Sequence, residues 1–154
     1  MLKNIKIFKI SIVGLFFVLF ATTNNSFSFM DDVCVDNIIN YNICDKAIEI
    51  QEEFATQLPQ QISENLILRT IASNENMLIM NALLLYNRSY LEAALRQHNR
   101  TMESINAQMN QSTHNMMCSM TPINDFVYLG GGIVVNYNFE DGEHYLTINV
   151  DNCE

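Results

Sequence analysis

Apolar residues along the chain recur in two rhythms, one of helices and one of strands. After Asp31 the chain reads as mostly helical up to Leu58, with Asp45 a suitable N-cap ahead of Ala47, Ile48, Ile50, Phe54 and Leu58. Pro59 stops that pattern, because a residue before proline is pushed out of the α region. Leu66–Ser73 and Met77–Leu85 are apolar runs around Asn74-Glu75-Asn76, which predicts a β-hairpin. A buried helix is the alternative for Met77–Leu85, whose leucine run carries no period. From Ser89 to about Met117 the residues Leu95, His98, Met102, Ile105, Met109, Ser112 and Met116 step by three and four, predicting one long amphipathic helix. Thr121-Pro122 opens a short helical turn through Val127. Gly130-Gly131-Gly132 then leads into Ile133, Val135, Tyr137 and Phe139, which alternate as a strand. A turn at Asp141-Gly142 returns the chain along His144, Leu146, Ile148 and Val150, which share one strand face. The expectation is an α+β fold: an antiparallel sheet of about four strands in two hairpins, packed against one long helix plus an N-terminal helix.

The chain start follows a different logic. Lys3, Lys6 and Lys9 precede an uncharged, mostly apolar run from Ile10 to Ala21, and Thr22–Ser26 is polar. That three-part order is a secretory signal peptide, and the run is short of the roughly 20 residues a membrane span needs. Ser26 and Ser28 place the cut after Ser28, with Ala21–Thr23 as a second option. Residues 1–28 are therefore expected to be removed, leaving 29–154 as one disulfide-stabilised domain with no membrane span.

All four cysteines, Cys34, Cys44, Cys118 and Cys153, follow the leader. An even number in an exported chain reads as disulfides. Three pairings are possible. Cys34–Cys44 with Cys118–Cys153 is favoured, because the first two are close neighbours and the second two would tie the long helix to the exit of the last strand. A four-thiolate zinc site is the rival, but there is no Cys-x-x-Cys.

Charge narrows the partners. The chain has 17 acidic against 8 basic residues, a net −9, and loss of the leader removes three lysines and no acid. Arg69, Arg88, Arg96 and Arg100 form no basic patch, so nucleic acid and anionic lipid are excluded as partners.

The stretches QLPQQISENLILRTIASNENMLI (Gln57–Ile79) and YLGGGIVVNYNFEDGEHYLTINV (Tyr128–Val150), with Cys118 and Cys153, resemble small exported bacterial proteins that include the quorum-sensing-regulated virulence factor family. Those proteins show a leucine-proline before a hairpin, a long helix ending near a cysteine, a glycine-led strand with tyrosines and a closing cysteine. The N-terminal Cys34/Cys44 pair departs from that pattern. The resemblance implies an exported α+β protein tied to virulence or envelope physiology, and it carries over no catalytic residues.

Candidate chemistry is sparse. His114–Met120 offers imidazole, thioether and sulfur ligands suited to Cu(I), although Met102, Met109 and Met116 on one helical stripe are ordinary core fillers. His98 and His114 are nearly opposite around an ideal helix and cannot pair as ligands. Glu52-Glu53 and Glu140-Asp141 are sequence neighbours whose side chains diverge. Serine-hydrolase and metallopeptidase motifs are missing, and Gly130–Gly132 lacks the Lys-Ser/Thr of a phosphate loop. Asn87-Arg88-Ser89 and Asn99-Arg100-Thr101 match the glycosylation triplet. The leading expectation is a non-enzymatic exported factor, without cofactor, that binds another protein of the envelope or host through an uncovered sheet face or a strand edge. A small envelope hydrolase using His144 or carboxylates, and copper handling at His114–Met120, are the alternatives.

Overall fold

A computed structural model describes residues 31–36 and 41–153. The expected leader, residues 1–28, lies outside the described residues. The elements run α1 (Asp31–Cys34), β1 (Val35–Asp36), β2 (Tyr41–Asn42), α2 (Ile43–Ala55), β3 (Gln60–Ser63), β4 (Leu66–Asn74), β5 (Met77–Leu84), α3 (Arg88–Gln97), α4 (Met102–Ser119), α5 (Ile123–Tyr128), β6 (Gly132–Phe139) and β7 (His144–Val150).

The fold is α+β, but the sheet is mixed and has five strands in the order β3-β4-β5-β6-β7. This corrects the expected four antiparallel strands. Both hairpins exist, β4 with β5 and β6 with β7, yet β5 and β6 lie side by side and parallel, from Met77↔Gly132 to Leu84↔Phe139. Parallel neighbours need a long crossover, and α3, α4 and α5 together supply it. β3 is the strand that the apolar pattern misses. Gln60, Gln61, Ile62 and Ser63 are all exposed, so no alternation marks them, and they pair with the start of β4.

The N-terminal segment is less helical than expected. A two-residue ladder, Val35↔Asn42 and Asp36↔Tyr41, interrupts it within the loop closed by Cys34 and Cys44. α2 therefore starts earlier than Asp45. Asn42 caps it, its Oδ1 accepting from the Cys44 and Asp45 amides at 3.0 and 3.2 Å.

The long helix is two helices. α3 closes in a Schellman motif: the Arg100 amide donates to the Leu95 carbonyl at 2.9 Å, and the Asn99 amide to Arg96 at 3.3 Å. Asn99 takes the left-handed conformation, φ +50°, that this motif requires. Thr101 then caps α4, accepting from the Ser104 amide at 3.2 Å. Asn87 caps α3 in the same way through Tyr90. Both apparent glycosylation triplets are thus helix-boundary signals in this fold. The break also overturns the continuous stripe: His98 is exposed beyond the end of α3, and Thr113, not Ser112, turns inward from α4.

The helices that cover the sheet pack on one face. α2 lies across β4 and β5, α4 meets β7, and α5 sits against α2, α4 and β6. Ile50, Leu78, Met80, Ile123, Phe126, Ile133, Val135, Phe139, Ile148 and Val150 fill the layer between. Leu78, Met80, Ala82 and Leu84 of β5 point into it, and Met77, Ile79, Asn81 and Leu83 to the other face. At the α5–β6 turn, Gly130 has φ +94°, and a Cβ on Gly131 would collide with the Phe126 ring. Packing and turn geometry account for those glycines.

A bulge opposite Tyr137 and Asn138 re-aims the start of β7. Tyr145 turns to the helix side, 5.0 Å from the Phe139 ring centroid, and its hydroxyl donates to Asn106 Oδ1 at 2.6 Å. His144 consequently does not share the face of Ile148 and Val150, which corrects the expected alternation. It is exposed, with Nε2 3.3 Å from Thr147 Oγ1.

Candidate functional site: an apolar groove beside the edge strand

The sheet face opposite the helices carries a polar row. Thr70, Asn81, Asn136 and Thr147 are register partners on successive strands. Asn81 Nδ2 donates to Thr70 Oγ1 at 2.9 Å, Asn136 Nδ2 to Asn81 Oδ1 at 3.3 Å, and Thr147 Oγ1 to Asn136 Oδ1 at 2.8 Å. The row satisfies itself, with Ala72, Ile79 and Val134 on one side and Ile67, Leu83, Asn138 and His144 on the other. It leaves few groups free to act on a substrate.

On the helix side the layer has a gap. A small cavity lies there, lined by residues of α2, β3, α4 and the sheet. Phe54 ends the α2 wall, Gln60 and Ile62 form the β3 lip, Leu68, Met80 and Val135 make the floor, and Met116, Met117 and Met120 form the α4 wall. The cavity holds about 40 Å³, space for a small apolar group. Its one ionisable lining residue is Tyr137. The Tyr137 hydroxyl shares a 2.7 Å hydrogen bond with Thr113 Oγ1, and burial raises its pKa. Burial likewise raises Tyr86 and Tyr145. The Tyr137 hydroxyl is engaged by Thr113, and the rest of the groove lining is Gln60 and apolar side chains.

The structure joins Cys34 to Cys44 and Cys118 to Cys153. No described cysteine is free. This bears on the copper reading. Cys118 is not a thiolate, Met117 is buried in the core, and Met116 and Met120 face the groove. His114 Nδ1 lies 3.8 Å from the bridged Cys118 sulfur. Among the described residues no cluster of three His, Cys, Asp or Glu side chains is placed to hold a metal.

The adjacent acids lie outside the groove lining. Glu52 and Glu53 are exposed on α2, and Glu140 and Asp141 sit on the β6–β7 turn, where Asp141 Oδ1 accepts from the Glu143 amide at 3.0 Å. Arg88 Nε binds Glu143 Oε1 at 2.7 Å, and its guanidinium lies 5.2 Å from the Phe139 ring centre. That pair, beside His144, clamps the turn to α3.

Met116, Met117 and Met120 belong to the His114–Met120 segment weighed for copper, whereas Phe54 and Ile62 carried no functional expectation. Ile62 alone carried a signal, a large apolar residue in an otherwise polar stretch, and it is 39% exposed.

No helix among the described residues is long and apolar enough to cross a membrane. Disulfides persist in oxidising compartments, and the protein is accordingly an exported one, periplasmic or secreted. No family model matches the chain, and no curated protein matches it. Solved structures do. A type II secretion system pilotin of Vibrio vulnificus, EpsS, aligns at a TM-score of 0.56 and 10% identity over 73% of this chain and 92% of its own. The pilotin AspS of Vibrio cholerae gives 0.53 and 13% over 72% and 89%. A protein of Pseudomonas aeruginosa described as secreted gives 0.53 and 16% over 71% and 88%. What these three proteins share with this chain is its fold, a helix layer on one face of a sheet.

Proposed function

We propose that this protein is a non-enzymatic binding factor of the bacterial envelope, which holds an apolar segment of another exported protein in the groove between α2, β3 and α4. The observation that carries the reading is the groove itself: methionine walls, an apolar floor and no catalytic pair. Methionine is flexible and polarisable, and suits surfaces that adapt to a bound chain. Two of the fold's solved examples are type II secretion pilotins, which supports a partner in envelope assembly or secretion. The proposal rests on the groove and the shared fold, not on the resemblance to the virulence factor family.

The test is site-specific photo-crosslinking in the native envelope. A crosslinker at Ile62 should capture one protein, and Met120→Glu on the facing wall should abolish that adduct while circular dichroism stays unchanged. A crosslinker at Tyr128, 86% exposed on α5, should capture none. Equal capture from both positions, or capture that survives Met120→Glu, would remove the groove from the function.

A further inference from the structure

The lip of the groove is also an edge of the sheet. β3 is the outermost strand on its side, and among the described residues no strand pairs with its outer edge. An edge of this kind offers unpaired amides and carbonyls that another strand can complete. Pro59 just before β3, and the register shift between Gln61 and Ser63, confine the usable stretch to a few residues. β7 is the opposite edge, and its inward Ile148 and Val150 are sealed in the core.

Side-chain direction links edge and cavity. Gln60 and Ile62 face the groove, so a strand laid along β3 would present alternate side chains to the same side. The cavity is small, about 40 Å³, and has room for the end of one side chain. An amphipathic helix docks through a row of anchors at i, i+3, i+4 and i+7 and would need a longer trough. Charge adds a third constraint. No Lys or Arg lines the groove, Glu53 precedes Phe54, Glu64 follows Ile62 by two residues, and the whole chain is net −9.

Building on the reading above, we infer that this apolar segment of the partner protein is extended and carries basic residues at its alternate positions. It adds to the outer edge of β3 as a sixth strand and places one apolar side chain between Ile62, Met116 and Met120. Backbone pairing supplies affinity, and the cavity and the two glutamates select apolar and basic residues at alternating positions.

Two synthetic peptides of identical leucine and lysine content test this on the intact exported protein. One alternates the two residues with period two, and the other spaces its leucines for a helix. Their charge is equal, so attraction to an acidic surface alone binds them equally. The alternating peptide is expected to bind about tenfold tighter or better, to slow amide hydrogen exchange at residues 60–63, and to lose that advantage when alternate backbone nitrogens are N-methylated. Ile62→Glu should also abolish binding; the N-methylated peptide gives the same answer without altering the protein. Equal affinities, or binding without protection at 60–63, would overturn the strand-addition inference. Preferential binding of the helical peptide, with protection at 116–120, would overturn it while leaving the groove reading standing.

Discussion

Thr113 and Tyr137 form a polar pair in an otherwise apolar layer, and their energetics can be isolated. Each hydroxyl is the other's partner at 2.7 Å, with Thr113 at 2% and Tyr137 at 3% exposure. Removing one leaves the other buried without a partner, which costs about 1–3 kcal/mol, whereas removing both together costs far less. Thr113→Val should therefore lower the urea-unfolding free energy by that amount, and Thr113→Val with Tyr137→Phe should recover most of it. An additive cycle would show that the two hydroxyls do not interact. The same tyrosine makes stability depend on alkaline pH. Burial raises its pKa above the ordinary value of about 10, opposed by the smaller effect of the Thr113 hydrogen bond. The folded state then holds the phenolic proton more tightly than the unfolded one. Its contribution is complete below about pH 10 and is lost as pH rises through the raised folded value. Unfolding followed from pH 9 upward should show this loss, and Tyr137→Phe should reduce it, leaving the part due to Tyr41, Lys46, Tyr86 and Tyr145.

At the scale of elements, the break between α3 and α4 matters most, because it turns one expected rod into two separate helices. Asn99 holds a left-handed conformation that costs most L-residues roughly 1–2 kcal/mol but that asparagine and glycine adopt readily. Asn99→Gly should leave the thermal midpoint unchanged or slightly raised, while Asn99→Val should cost about 1–2 kcal/mol. If valine is tolerated, the Schellman stop is not what separates the helices. This junction also marks how far the sequence could be read. Both hairpins, the short helix after Pro122 and the glycine turn were visible, because each depends on a local alternation or a local turn residue. The helix stop was not, since Asn99 ends α3 without glycine or proline, and apolar residues happen to keep step across the gap. β3 was invisible for the opposite reason: an exposed edge strand has no buried side to impose a pattern. The parallel β5–β6 pairing depends on where a long crossover returns the chain, and neither strand's residues encode that. The groove was hidden in the same way, for Phe54, Ile62 and Met120 come from three separate segments and meet only when the sheet and the helix layer are assembled.

Across the whole molecule, the two disulfides divide the work unequally. Cys34–Cys44 closes a loop ten residues apart in sequence, and Cys118–Cys153 one of 35. In the chain-entropy account the shorter bridge contributes roughly 2.5–3 kcal/mol and the longer roughly 3–4. A domain of this size is stable by about 5–15 kcal/mol, so loss of the longer bridge removes a substantial share. Its position makes the effect more than a general loss. Cys118 sits in the last turn of α4 between Met116, Met117 and Met120, and Cys153 follows the end of β7. The bridge therefore ties the groove's methionine wall to the far edge of the sheet. In Cys118→Ala/Cys153→Ala the urea midpoint should fall by an amount matching roughly 3–4 kcal/mol, and amide exchange should quicken at 116–120 more than in α2. Cys34→Ala/Cys44→Ala should lower the midpoint less and leave exchange at the methionine wall unchanged. Equal losses in the two variants, or quickened exchange spread evenly over the chain, would mean that both bridges act only on the unfolded state and that neither holds the groove in shape.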